Sequence, residues 1–208
     1  MKANMFDQLF EKLNEVEEVS NQEKVDYFLK RMHLHIGLVQ KAAAKIAEAY
    51  PEEFSDLVKQ TADHDASKLK DPELTPYVAI TWRHKLEKED GEFDPIKGKG
   101  YQMPGHLEKK EEDEATLHHI KNNTHHPEFW LDDKAKTDVG TNRDDSIRCV
   151  DASKMPNIDV AEMIADWAAM GEELGNSPRE WFDKVKDVRW HFSEHQEELI
   201  DRLLKVFE

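Results

Sequence analysis

The stretch TADHDASKLK, residues 61–70, sets His64 beside Asp65 and follows them with Lys68. A neutral imidazole and a carboxylate are standard ligands for a divalent cation. The same pair also fits a polar helix end with Asp65 capping the next turn, so the choice depends on whether further ligands exist. The chain carries eleven histidines, four of them in HHIKNNTHHPEFW, residues 118–130. There His119 and Asn123 are four apart and share a helix face, and His125 and His126 precede Pro127, which should end that helix. His35 falls on the apolar stripe Val25, Phe28, Met32, Val39, Ala43 and Ile46, whereas His33, about 200° away at ~100° per residue, does not. In DVAEMIADWAAM, residues 159–170, Glu162 and Asp166 share a face. A carboxylate among Ile164, Ala165, Trp167 and Ala168 is costly to bury without a cation, a hydrogen-bonding partner or a proton. An ion pair with a neighbouring helix would also serve, but the histidines weigh toward a metal.

The ligand order is His, His–Asp, a group of histidines, then Asp. That order resembles the HD-domain superfamily of metal-dependent phosphohydrolases. HIGLV at 35–39 looks like its first-histidine helix, and HDASK at 64–68 looks like its histidine–aspartate motif with a trailing lysine. The likeness spans roughly residues 25–170. HDASKLKDPELTPY, HHIKNNTHHPEFW and EMIADWAAMGEELGNSPREWF together also resemble a family of phage and bacterial proteins of unassigned function. Its members share His-Asp-x-Ser-Lys, Asn-x-His-His-Pro-Glu and Glu-Met-x-x-Asp-Trp motifs. Residues 61–63 are more polar than the usual approach to such a pair, and 88–108 reads as an insertion, a candidate lid.

The resemblance implies a five-helix core holding one or two divalent ions (Mn, Mg, Co, Ni or Fe). With His35, His64, Asp65 and Asp166 as ligands of one metal, water becomes a usable nucleophile near neutral pH. Asp65 would bridge two metals if His119 and His126 (or His118) completed a second site. Lys68 is the candidate group for gripping a phosphate oxygen, His125 for protonating a leaving group, and Asn123 for donating to a phosphate. His84 and His106 read as surface or loop residues, and His191 and His195 as packing or exposed positions on the last helix. The expected activity is hydrolysis of a nucleotide or another small phosphorylated molecule. Two alternatives are a mixed-valent di-iron oxygenase, typified by myo-inositol oxygenase, and a non-catalytic binding protein that keeps its metal for stability.

Helical periodicity positions these residues almost throughout. The pattern predicts helices over 5–19, from a Ser20–Glu23 capping box to about Tyr50, and over 52–63, 73–87, 110–123 and 157–174. A last helix, 178–207, is expected to start at the Ser177 cap with Pro178 in its first turn. No stretch alternates at period two, so the expected fold is an all-α, single-domain helical bundle over 1–208 with its core at about 25–174. Residues 88–108 and 132–156 break the pattern as long loops.

Composition narrows the partners. Hydrophobic residues make up 38% of the 208 and charged ones 36%, the balance of a polar-surfaced globular protein. Forty-five acidic residues against 29 basic ones leave a charge of −16, which argues against nucleic acid or an anionic membrane as partner. Cys149 is the single cysteine, so neither an intrachain disulfide nor a cysteine zinc cluster is available. The amphipathic start MKANMFDQLFEKL lacks the apolar run of a signal peptide, and no segment offers the ~20 apolar residues of a membrane span. The expected compartment is cytoplasm, a host's if the gene is phage-borne, and a homo-oligomer stays open.

Overall fold

The computed structural model describes residues 21–89, 109–140 and 149–208. The expected helix over 5–19, the Ser20 cap, His106, nearly all of the 88–108 segment and residues 141–148 lie outside the described residues. The helices are α1 (Asn21–Ala49), α2 (Pro51–Phe54), α3 (Leu57–Gln60), α4 (Leu74–Glu89) and α5 (Lys109–Asn122). They continue as α6 (Asp133–Asp138), α7 (Asn157–Leu174), α8 (Pro178–Val185) and α9 (Glu194–Leu204). The all-α class is therefore correct. One addition is a two-residue parallel pair, β1 (Val150–Asp151) beside β2 (Trp190–His191), with Val150 opposite Trp190. No described helix is long and apolar enough to cross a membrane.

The chain divides into two compact units, Met1–His33 with Ser67–Ala115, and Leu34–Ala66 with Thr116–Glu208. In the first, Val25, Phe28 and Met32 of α1 and Leu74, Val78 and Trp82 of α4 are buried. Tyr27 meets Trp82 edge-on at 5.8 Å between ring centroids, and the Lys85 ammonium lies 4.2 Å over the Trp82 ring. Arg83 pairs with both Glu87 and Glu112.

The second unit is built around α7. Val160, Ala161, Met163, Ile164 and Ala165 are all buried, so this helix is covered on most of its circumference, as a central helix must be. Its far end is fixed by backbone geometry. Gly175 adopts a left-handed φ of 76° and returns its N–H to the Gly171 carbonyl at 2.8 Å. A Cβ on Gly171 would lie 2.5 Å from the Asn176 carbonyl oxygen, so the close approach requires glycine. Trp167 stacks on Trp190 at 5.8 Å, and Trp190 donates its indole N–H to buried Glu128 at 3.0 Å.

Several element boundaries differ from the sequence expectation. The last helix is two: α8 stops at Val185, Asp187 takes a φ of 57°, β2 pairs with β1, and α9 restarts at Ser193. Ser193 and Gln196 form a capping box there, and Gln196 also donates to the Ala152 and Met155 carbonyls at 2.9 Å each. The 52–63 helix is broken into α2, α3 and a 3-10 turn, Thr61–Asp63. The 132–156 segment contains α6, capped by the Asp132 carboxylate on the Ala135 N–H, as well as β1. Pro127 does not end α5, which stops at Asn122; it opens a 3-10 turn, Pro127–Trp130, where a missing N–H costs nothing.

Candidate metal centre

Four segments of the second unit carry the site residues: α1, the turn after α3, the end of α5 with the turn beyond it, and α7. On α1, His35 continues the buried stripe of Val39, Ala43 and Ile46. The His64–Asp65 pair sits in a sharp break between 3-10 turns, not on a helix. His64 is extended at the end of Thr61–Asp63, and Asp65 follows at a left-handed φ of 60°. Aspartate enters that region more readily than most residues, at a cost of order 1 kcal/mol. Despite the polar approach, His64 and Asp65 are each only 2% exposed.

The donor atoms converge. His35 Nε2 lies 3.1 Å from Asp166 Oδ1 and 3.7 Å from Asp65 Oδ2. His64 Nε2 lies 3.8 Å from the same Asp166 oxygen and 3.9 Å from the same Asp65 oxygen. Ligands at ~2.0–2.2 Å from a shared ion stand roughly 3–4 Å apart, which is the spacing seen here. His64 Nε2 is buried with no hydrogen-bond partner among the described residues, an arrangement a cation would satisfy. The residues therefore fit a divalent metal. The other Asp65 oxygen, Oδ1, faces His119 Nε2 at 3.0 Å and His125 Nε2 at 3.6 Å. His119, His125 and His126 form a second group of donor atoms close enough to share an ion, and the alternative ligand His118 is not part of it.

Glu162, absent from the expected ligand set, orders the interior of this cluster. Its Oε1 accepts from His64 Nδ1 at 2.9 Å and stands 3.7 Å from His125 Nδ1, while its Oε2 accepts from the Gln60 amide at 2.9 Å. Gln60 also donates to Asp159 at 3.0 Å. The four-residue spacing of Glu162 and Asp166 was the available signal; nothing in the sequence pointed to Gln60.

Burial works against charge on His64, but the Asp65 carboxylate, with Asp166 and Glu162, outweighs it and raises the pKa to about 10. Burial likewise pushes Asp166 up, and the His35 and His64 imidazoles override it, holding the carboxyl well below its usual range. For His125, burial and then the charge of His64 push the pKa well below 6.5. His125 is therefore neutral near pH 7, and its ring lies tilted against that of His64 with 4.2 Å between centroids. Three carboxylates around the imidazoles favour a cation in their midst.

The remaining candidates make other contacts. Asn123, just past the end of α5, donates to the His119 carbonyl at 2.8 Å and contacts His119 Nδ1 at 3.1 Å. Lys68 belongs to the first unit, where its ammonium lies 4.8 Å over the Tyr77 ring. His84 is half-buried on α4 rather than on the surface. His33, His191 and His195 are exposed, with His191 Nδ1 2.8 Å from Asp187.

The family model described as a family of unknown function (DUF5662) matches residues 24–206. No curated protein and no solved structure matches the chain.

Proposed function

The chain belongs to this family of unknown function, and we propose that it is a metal-dependent phosphohydrolase of the HD-domain kind. Its substrate in this reading is a nucleotide or another small phosphorylated molecule. One observation carries the reading: His35, His64 and Asp166 bring ligand atoms within 4.8 Å of one another, and an Asp65 oxygen lies 3.7 and 3.9 Å from the two imidazoles. A divalent cation held there supplies Lewis acidity toward a phosphoryl oxygen and lowers the pKa of water. Two imidazoles with two carboxylates suit Mn, Fe, Co or Ni better than Mg, which prefers an all-oxygen shell. Asp65 and Asp166 provide the negative charge that retains the cation. Neutral His125 lies beside Asp65, its Nε2 3.6 Å from Oδ1.

The two oxygens of Asp65 face different imidazole groups, and this favours a second reading, a di-iron oxygenase bridged by that carboxylate. One experiment separates the two. Protein loaded in turn with Mn²⁺, Co²⁺, Ni²⁺, Mg²⁺ and Fe²⁺ is assayed for metal content and for phosphate release across nucleotides and small phosphate esters. Phosphate release supports the hydrolase. Oxygen consumption by the iron form, without phosphate release, supports the oxygenase. Bound metal with neither activity leaves a binding protein stabilised by its metal.

A further inference from the structure

The turn that carries His125 and His126 is anchored on both sides by indole N–H groups. Before the two histidines, the Thr124 backbone carbonyl accepts from the Trp130 indole at 2.9 Å. Beyond them, Glu128 Oε1 accepts from the Trp190 indole at 3.0 Å. Glu128 is 1% exposed and Trp190 3%, so a carboxyl group is withdrawn from water to meet a neutral donor. That is costly, and packing a large ring does not require it. Trp190 is itself fixed on two further sides. Its backbone pairs with Val150 of β1, whose N–H donates to the Arg189 carbonyl at 2.8 Å. Its ring lies nearly parallel to that of Trp167, with 16° between planes, and Trp167 directly follows Asp166 on α7. One indole thus joins the His125–His126 turn to the helix that carries Asp166.

We propose that Glu128 and Trp190 are positioning residues of the metal centre: seated on Trp167, the Trp190 indole fixes the His125–His126 turn through Glu128 and so holds the His125 ring against His64 and Asp65. His125 Nε2 lies 3.6 Å from Asp65 Oδ1, and its ring lies 4.2 Å from that of His64. Both of those residues belong to the proposed ligand set. His125 stands past the end of α5, so the helix does not fix it and contacts from neighbouring segments must. The functional meaning rests on the metal reading above, whereas the bracing itself is a property of the metal-free chain.

Three variants test this. Glu128→Met keeps the side-chain length and removes the acceptor, Trp190→Phe keeps an aromatic ring and removes the donor, and Glu128→Gln keeps an accepting oxygen. In metal-free protein, a nuclear Overhauser cross-peak between the His64 and His125 ring protons should be present in the wild type and in Glu128→Gln. It should be lost in Glu128→Met and Trp190→Phe. Titration with Co²⁺ should show about tenfold weaker binding in those two, and affinity close to wild type in Glu128→Gln. The Met and Phe variants act on opposite ends of one hydrogen bond, so either decides if the other fails to fold. Lower melting temperatures with the cross-peak and the Co²⁺ affinity unchanged would overturn the proposal, leaving the pair a brace of the fold alone. So would a lost cross-peak with unchanged affinity, or a Glu128→Gln that fails as Glu128→Met does. A wild type that takes up no Co²⁺ sinks the metal reading instead, and the cross-peak then decides the bracing by itself.

Discussion

His64 and His84 are imidazoles withdrawn from solvent in different units of the molecule, and burial pushes the pKa of each down from 6.5. His64 nevertheless rises to about 10, because Asp65, Asp166 and Glu162 surround it. His84 falls to about 4, because after burial its neighbours are the Arg83 and Arg31 guanidiniums. Burial alone therefore does not decide what a histidine does. The charges beside it do, and they separate a cation-seeking cluster from a packed neutral ring.

The comparison breaks hardest at Asp65. Asp65→Asn keeps the shape and removes a charge from both imidazole groups, and the proposed hydrolysis should fall ~10²-fold or more, at least ~2.7 kcal/mol of transition-state stabilisation. Steady-state rates with unchanged far-UV circular dichroism are the check; retained activity would detach the His64 cluster from function. Glu162→Gln acts one step further out. It should weaken Mn²⁺ binding by ~10–100-fold, measured by isothermal titration, because the group that orients His64 loses its charge.

Acid sharpens the contrast. The folded pKa of His84 lies below its ordinary value, so the unfolded chain takes the proton first as pH falls. Its contribution to stability is intact above 6.5 and is lost as pH drops toward about 4. The interval caps the loss at about 3 kcal/mol, and partial exposure reduces it to about 1–2 kcal/mol. His84→Gln should flatten that part of the melting-temperature profile. For metal-free His64 the sign is opposite: its contribution is whole below 6.5 and disappears as pH rises through about 10. The smallest effect should come from Gln60→Ala, which removes one donor from Glu162 and should cost about 1 kcal/mol, read as a shift of a few degrees in thermal melting.

His35 and Asp166 were visible in the sequence because their residue types are unusual where they stand: a histidine on an apolar stripe, an aspartate inside an apolar helix. Helix α7 was visible for the same periodic reason. Glu162 was visible only as a neighbour of Asp166, since its contact with His64 spans 98 residues and no local pattern encodes it. Asn123 suggested a phosphate contact on chemistry alone, whereas the hydrogen bond it makes is local, to the His119 carbonyl four residues back in the last turn of α5. The break between α8 and α9 did carry a signal, the Ser193-x-x-Gln196 box. Val188 and Phe192 kept the helical spacing across it, and periodicity outweighed the cap. The turn at Asp65 had no such signal, because a left-handed residue is set by the packing on either side.

That left-handed φ of 60° limits how the pocket can be re-engineered. Position 65 must supply both a short carboxylate and a backbone that tolerates the left-handed region. Asn and Gly meet the backbone demand without the charge, and Glu offers the charge with a longer side chain less suited to that region. Changes to the cluster are therefore better attempted at Asp166 or His35. Both stand on regular helices, where lengthening a side chain leaves φ and ψ alone.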